Sequence, residues 1–388
     1  MNLSFKFAAT PAIYFGVKKI KMLPQLAQQF GHKALVVTGK SSFLKTFIAM
    51  ELFQDLEAYN IETKLVHISG EPTPNQIDEA VDTYGKWKPD LVIAIGGGSV
   101  MDAGKAISAM LCEKGSITNF LEDVGTQLPS GNKIPLITVP TTAGTGSEAT
   151  KNAVITQPGE NGFKKSLRHD NYVPNVALID PQLTIGCPPP ITAASGMDAF
   201  TQLLESYLST NSTPITDALA LDGLSHLIGS IETAYERGDN LKARSAMSYA
   251  ALLSGITLAN AGLGVVHGFA QPLGSLYNIP HGIVCGTLMG AANRITVEEL
   301  RTLNNQRILA KYDTIARLVS DADNQNKRID DFLKEIDRLT VKFKLPVLSG
   351  FGISENDLPT IVSNTGLKYH PIELNDINLT DILKNRLY

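Results

Sequence analysis

Asp90-Leu-Val-Ile-Ala-Ile-Gly96-Gly97-Gly98-Ser99-Val100-Met101-Asp102-Ala103-Gly104-Lys105 decides how this chain is read. An uninterrupted apolar run, short enough for a buried strand, ends in three glycines and passes into a helical pattern. Consecutive glycines let backbone amides approach a ligand closely, and the helix start adds unpaired N–H donors and a positive dipole end. A pyrophosphate suits such a place, although the glycines alone fit an unliganded turn equally well. The motif is neither the GxGxxG fingerprint nor a Walker loop.

Similar apolar runs lie on both sides: Ala34–Gly39, Thr63–Ile68, Ile134–Pro140 and Val176–Asp180. Amphipathic stretches such as Asn75–Trp87 and Met101–Leu111 alternate with them. Val-, Ile- and Leu-rich strands alternating with helices predict a parallel, Rossmann-like sheet covered on both faces. Ligands bind such sheets at the carboxyl ends of the strands. A second polar loop, Pro140-Thr141-Thr142-Ala143-Gly144-Thr145-Gly146-Ser147-Glu148, follows one of those ends. Its hydroxyls suit a phosphate, ribose or nicotinamide, or alternatively a helix N-cap at Thr145 or Ser147.

At Cys187-Pro-Pro-Pro190 the texture changes, and residues 192–208, 214–236, 241–261, 294–320 and 327–343 all read as helices. The expected architecture is an α/β domain over residues 1–186 and an all-α domain over residues 187–388. In the second half, Gly262-Leu-Gly-Val-Val-His267 and Pro280-His281-Gly282 place two of the seven histidines in apolar, glycine-rich surroundings. A buried imidazole needs partners for its nitrogens, so backbone carbonyls or a metal ion are both open. Asp198 and Gln202 are four apart and share one helical face. One carboxylate and two imidazoles make a three-ligand site with a position left for a substrate oxygen.

Composition narrows the function class. The 388 residues are 43% hydrophobic and 19% charged, with a net charge of -4. That balance gives no reason to expect a nucleic-acid or anionic-membrane partner. Three widely spaced cysteines offer neither a disulfide framework nor a zinc knuckle. The start, MNLSFKFAATPAIYFG, lacks the pattern of a secretion signal, and no apolar stretch approaches the ~20 residues of a membrane helix. A cytoplasmic homodimer acting on a small molecule is the expectation.

These motifs together resemble the iron-containing (group III) alcohol dehydrogenase family, within the dehydroquinate synthase-like fold. The likeness runs from Pro11-Ala-Ile-Tyr-Phe-Gly16 to the tail at Asn375–Leu383. It implies that Gly96, Gly97, Gly98 and Ser99 cradle the pyrophosphate of a nicotinamide cofactor. Thr141, Thr142 and Thr145 would line its ribose and nicotinamide, Lys164 would reach the ribose, and Gly39, Ser41 and Asp102 complete the nucleotide set. Asp198, His267 and His281, with Gln202 as a weaker fourth, would hold one divalent metal, Fe2+ or in some relatives Zn2+. The implied reaction is hydride transfer between NAD(P)(H) and an alcohol, aldehyde or ketone.

Two departures fall at the reacting centre. Family members usually carry histidine where this chain has Gln202 and Gln271. An amide oxygen is a weaker donor than imidazole, and Gln271 cannot act as a general base. Two alternatives therefore stay open: a lyase using the same fold, nicotinamide and metal, or a metal-free member without activity. After the first strand, Val36-Val-Thr-Gly39-Lys40-Ser41-Ser42 has glycine where NAD-preferring relatives often have aspartate. Loss of that carboxylate removes repulsion against a 2′-phosphate, and Lys40 can pair with one, so NADP(H) is the expected cofactor.

Overall fold

The computed structural model describes residues 4–159 and 162–388; residues 1–3 and 160–161 lie outside the described residues. The chain divides into two compact units, Phe7–Cys187 and Pro188–Tyr388, the latter joined by residues 4–6.

The first unit is built on a six-stranded sheet. Its elements in order are β1 (Ala12–Phe15), α1 (Leu23–Gln28), β2 (Lys33–Gly39), α2 (Phe47–Ala58), β3 (Glu62–Ile68), α3 (Pro74–Tyr84), β4 (Leu91–Gly96), α4 (Gly98–Met110), β5 (Leu136–Pro140), β6 (Asn152–Gln157), β7 (Phe163–Arg168) and β8 (Val176–Ile179). The strand order is β1-β8-β5-β4-β2-β3, parallel throughout. Side chains alternate between two buried faces, which explains the unbroken apolar runs. Leu35, Val37, Val92 and Ala94 pack with α3 and α4, while Ala34, Val36, Leu91 and Ile93 pack with α1 and α2.

The order fixes where a ligand belongs. From β2 the chain moves outward to β3, then returns to place β4 on the other side of β2. The β2/β4 pair is therefore the topological switch point, and its carboxyl ends carry Gly39 and the Gly96–Gly98 loop. Two features were not expected. Strand β1 is an edge strand with no fully buried residue, and β6 and β7 form a separate antiparallel hairpin of half-buried polar residues. Neither has the apolar run that marks a central strand.

The second unit is helical: α5 (Pro189–Leu208), α6 (Pro214–Ile228), α7 (Ile231–Glu236), α8 (Leu241–Ala261), α9 (Val265–Tyr277), α10 (His281–Thr302), α11 (Gln306–Ala316), α12 (Gln325–Lys342), α13 (Leu358–Ser363) and α14 (Asp376–Lys384). Pro189 opens α5 in its first turn, where its missing N–H costs nothing. Three expected boundaries need correction. The 214–236 segment breaks between α6 and α7. The 294–320 segment crosses a break where Asn304 takes a left-handed φ of 50°. Its first helix begins as early as His281, directly after Pro280. Helix α9 was not foreseen, because its glycines and the internal Pro272 hide the helical period. Among the described residues, no single helix is long and apolar enough to cross a membrane.

Candidate functional site

Helix α5 is almost wholly buried, yet one stripe of it is polar. Asp198, Gln202 and Glu205, at i, i+4 and i+7, lie on one face and are all under 8% exposed. Helix α10 packs against α5 through Gly282 and Gly286. A Cβ on Gly282 would meet the Ala194 carbonyl oxygen at 2.4 Å, and one on Gly286 would meet Met197 Cβ at 3.0 Å. Those two glycines let the helices approach closely, and the approach carries His281 and Cys285 toward Asp198. His267 reaches the same point from the first turn of α9.

The donor atoms of Asp198, His267, His281 and Cys285 all lie within 4.8 Å of one another. Asp198 Oδ1 is 3.4 Å from His267 Nε2 and 3.5 Å from His281 Nε2. Two ligands each about 2.0–2.1 Å from one ion at a tetrahedral angle stand about 3.3 Å apart, so these separations suit a shared divalent cation. The donor set fits as well: one anionic oxygen and two imidazoles in a largely desolvated place. Gln202 is arranged otherwise than the sequence suggested. Its Nε2 donates to Asp198 Oδ1 at 3.2 Å, and its Oε1 accepts from Ser254 Oγ at 2.8 Å. It orients the carboxylate, and its carbonyl oxygen is engaged elsewhere.

Glu205, which sequence reasoning missed, ties the centre together. Its Oε2 accepts from His267 Nδ1 at 2.7 Å and its Oε1 from the Val266 amide at 2.7 Å. The second bond caps α9, whose Gly264 N-cap has no side chain to do so. His370 Nδ1 accepts the preceding amide, that of Val265, at 3.4 Å. Electrostatics follow from this crowding. Burial raises the Asp198 pKa, but His281 and His267 reverse that and hold it below the usual carboxylate range. For His267, burial opposes the imidazolium, and Cys285, Glu205 and Asp198 more than overcome it. Burial also pushes the Cys285 thiol up to about 12. A thiol that weak is neutral near pH 7, so the carboxylates carry the attraction to His267 there.

In the other unit, the Gly96–Gly98 loop opens α4 with no side-chain cap, leaving its first amides to other partners. A Cβ on Gly98 would lie 2.6 Å from Thr145 Cγ2, and one on Gly97 would lie 3.4 Å from Thr142. The glycine loop and the threonine loop are thus in contact, with Ser99, Thr141, Thr142 and Thr145 all partly exposed around them. Lys105 fastens them from behind. Its ammonium donates to Ser147 O (3.0 Å), Ser147 Oγ (2.7 Å) and Thr150 Oγ1 (2.8 Å).

Three expected roles look different here. Asp102 accepts from Ser147 Oγ at 2.6 Å and from the Val154 amide, so it holds the loops in place. Lys164 is ion-paired with Glu71. Thr145 Oγ1 does accept from the Ser147 amide, but it caps only a single 3-10 turn, Ser147–Ala149. Gly39, Lys40, Ser41 and Ser42 form the accessible end of β2.

An uncapped glycine loop at the switch point of a parallel sheet, with a carboxylate–imidazole centre on a helical unit, defines the class: a metal-dependent enzyme that uses a nucleotide cofactor. Comparison with known proteins makes this specific. Residues 10–181 match the iron-containing alcohol dehydrogenase family, and residues 192–387 match the C-terminal domain of the Fe-containing alcohol dehydrogenase family. The chain is 31% identical over 355 residues to the NADPH-dependent butanol dehydrogenase of Clostridium saccharobutylicum, covering 91% of this chain and 88% of that one. It is 31% identical over 365 residues to the 1,3-propanediol dehydrogenase of Citrobacter freundii, covering 92% and 90%. The crystallised alcohol dehydrogenase from Oenococcus oeni superposes with a TM-score of 0.86 at 29% identity, covering 99% and 100%. This chain belongs to the iron-containing alcohol dehydrogenase family, and it is an NAD(P)-dependent oxidoreductase.

Proposed function

We propose that the enzyme interconverts a small alcohol and its aldehyde or ketone, with one divalent ion held by Asp198, His267 and His281 and with NADP(H) preferred over NAD(H). The observation that carries this reading is the convergence of those three donor atoms at ligand-like spacing. When bound, the divalent ion supplies Lewis-acid polarisation of the substrate oxygen, and the nicotinamide supplies or accepts the hydride.

The chain's own residues do the rest. Asp198 brings the negative charge that a buried cation needs. Glu205 fixes His267 with Nδ1 protonated, so Nε2 keeps its lone pair toward Asp198. His281 is the most open of the three, with a third of its side chain exposed, and marks the side from which substrate arrives. Gln271 is exposed one turn beyond His267 and has no titratable nitrogen, so it relays no proton itself. Support for NADP(H) comes from Gly39, which places no carboxylate at the end of β2, and from the neighbouring Lys40, Ser41 and Ser42. The related butanol dehydrogenase is NADPH-dependent.

A panel of short primary alcohols, diols and aldehydes, followed by nicotinamide absorbance, tests this. The expected result is aldehyde-dependent oxidation of NADPH, lost with chelator and restored by Fe2+ or Zn2+. Consumption of a substrate at constant nucleotide absorbance would instead mark the lyase chemistry of the wider fold.

A further inference from the structure

We infer that Cys285 is the fourth protein ligand of this metal centre, standing in for Gln202, and that its sulfur biases the site toward thiophilic ions such as Zn2+ and Co2+. The inference rests on the metal-centre reading above and goes beyond it in naming the ligand set. Cys285 lies one helical turn after His281 on α10, so the two share a face. Its Sγ is 3.7 Å from His267 Nε2 and within 4.8 Å of the other donor atoms. A sulfur about 2.3 Å and a nitrogen about 2.0–2.1 Å from one tetrahedral ion stand about 3.5–3.6 Å apart, close to what is seen.

Gln202 is the poorer candidate. Its Oε1 accepts the Ser254 hydroxyl and its Nε2 faces Asp198, so ligation would break one bond and turn the amide over. Cys285 needs no such rearrangement; it is fully buried, and no other metal-type donor is grouped with this centre among the described residues. On binding, the thiol gives its proton to solvent and the thiolate joins the ion, because a coordinating thiol is deprotonated outright. Thiolate donors favour zinc-like ions, whereas carboxylate and carbonyl oxygens suit Mg2+ and Mn2+.

X-ray absorption of the wild-type zinc protein, loaded from the apo form, reads the ligand set without any turnover. The expected spectrum has one sulfur scatterer at about 2.3 Å, absent in Cys285→Ser. The cobalt-loaded wild type should show a thiolate-to-metal charge-transfer band in the near ultraviolet, which the variant loses. Zinc affinity of Cys285→Ser, by chelator competition, should fall by at least ~10-fold, the lower bound seen when even an outer-shell partner is removed. Bound zinc with only nitrogen and oxygen neighbours in the wild type would overturn the Cys285 assignment and leave the proposed function standing. A wild type that takes up no metal would overturn both. The wild-type spectrum decides the matter even if the variant does not fold.

Discussion

The carboxylate of Glu205 accepts from His267 Nδ1 at 2.7 Å while both groups are buried between α5 and α9. That bond sets the tautomer and the plane of the ring. It also makes the imidazole a stronger donor, as a carboxylate behind a ligating histidine does elsewhere. Glu205→Gln should therefore weaken zinc binding by about 10–100-fold without removing any atom of the metal centre. Competition with a chromophoric chelator measures it. Unchanged affinity would mean that the bond serves only to cap α9.

Lys105 should matter out of proportion to its distance from any ligand. Its ammonium is 2% exposed, hydrogen-bonded to Ser147 and Thr150, and 3.2 Å from Asp102. Lys105→Met leaves Asp102 buried without its cation, which typically costs about 3–5 kcal/mol. Urea unfolding followed by the fluorescence of Trp87, the single tryptophan, should show a loss of that size. NADPH binding should weaken too, because the threonine loop loses its fastening. A variant with unchanged stability would show that the loop is held by other contacts.

His370 gives the helical unit an acid sensitivity. Burial lowers its pKa to about 4, Glu205 opposing only in part, and its Nδ1 already accepts the Val265 amide. A protonated ring would set N–H against N–H there. With the folded pKa below the unfolded value near 6.5, the unfolded chain binds the extra proton between pH 6.5 and 4. Stability is thus fully present above pH 6.5 and falls as pH drops through that window, by up to about 3 kcal/mol. In His370→Gln the same descent should have a shallower slope, measured by urea midpoints at pH 7 and pH 5. Equal slopes would locate the acid sensitivity in other groups.

Cofactor choice turns on Gly39. A carboxylate introduced at the end of β2 would face a 2′-phosphate, and Gly39→Asp should reverse a preference for NADP(H). The unfavourable contact should amount to roughly 1–3 kcal/mol, as for a buried group denied its partner. Fluorescence titration with both nucleotides tests this. A wild type that binds NAD(H) at least as tightly as NADP(H) would contradict it.

The central strands were legible because both faces of the sheet are buried, so β2, β4, β5 and β8 are apolar at nearly every position. Strand β1 and the β6/β7 hairpin were not, because edges and half-buried ribbons carry Lys, Gln and Thr without a periodic signature. Helix α9 was hidden for another reason: its residues are chosen for close packing and ligation, not for helix propensity. At the centre, Asp198, His267 and His281 were visible through the family resemblance. Glu205 and Cys285 lay within reach, one at i+7 from Asp198 and the other at i+4 from His281. A glutamate in an apolar helix and a lone cysteine carry no motif, however, and only their meeting at His267 reveals them.

The central claim, that a metal held by Asp198, His267 and His281 makes this an alcohol dehydrogenase, is tested most directly by His267→Ala. Metal content, NADPH binding and NADPH-dependent aldehyde reduction should be measured on the same preparation as the wild type. The account predicts that the variant loses its metal and its activity together. It should still bind NADPH, because the glycine and threonine loops belong to the other unit. An unchanged rate in the His267→Ala protein would contradict it.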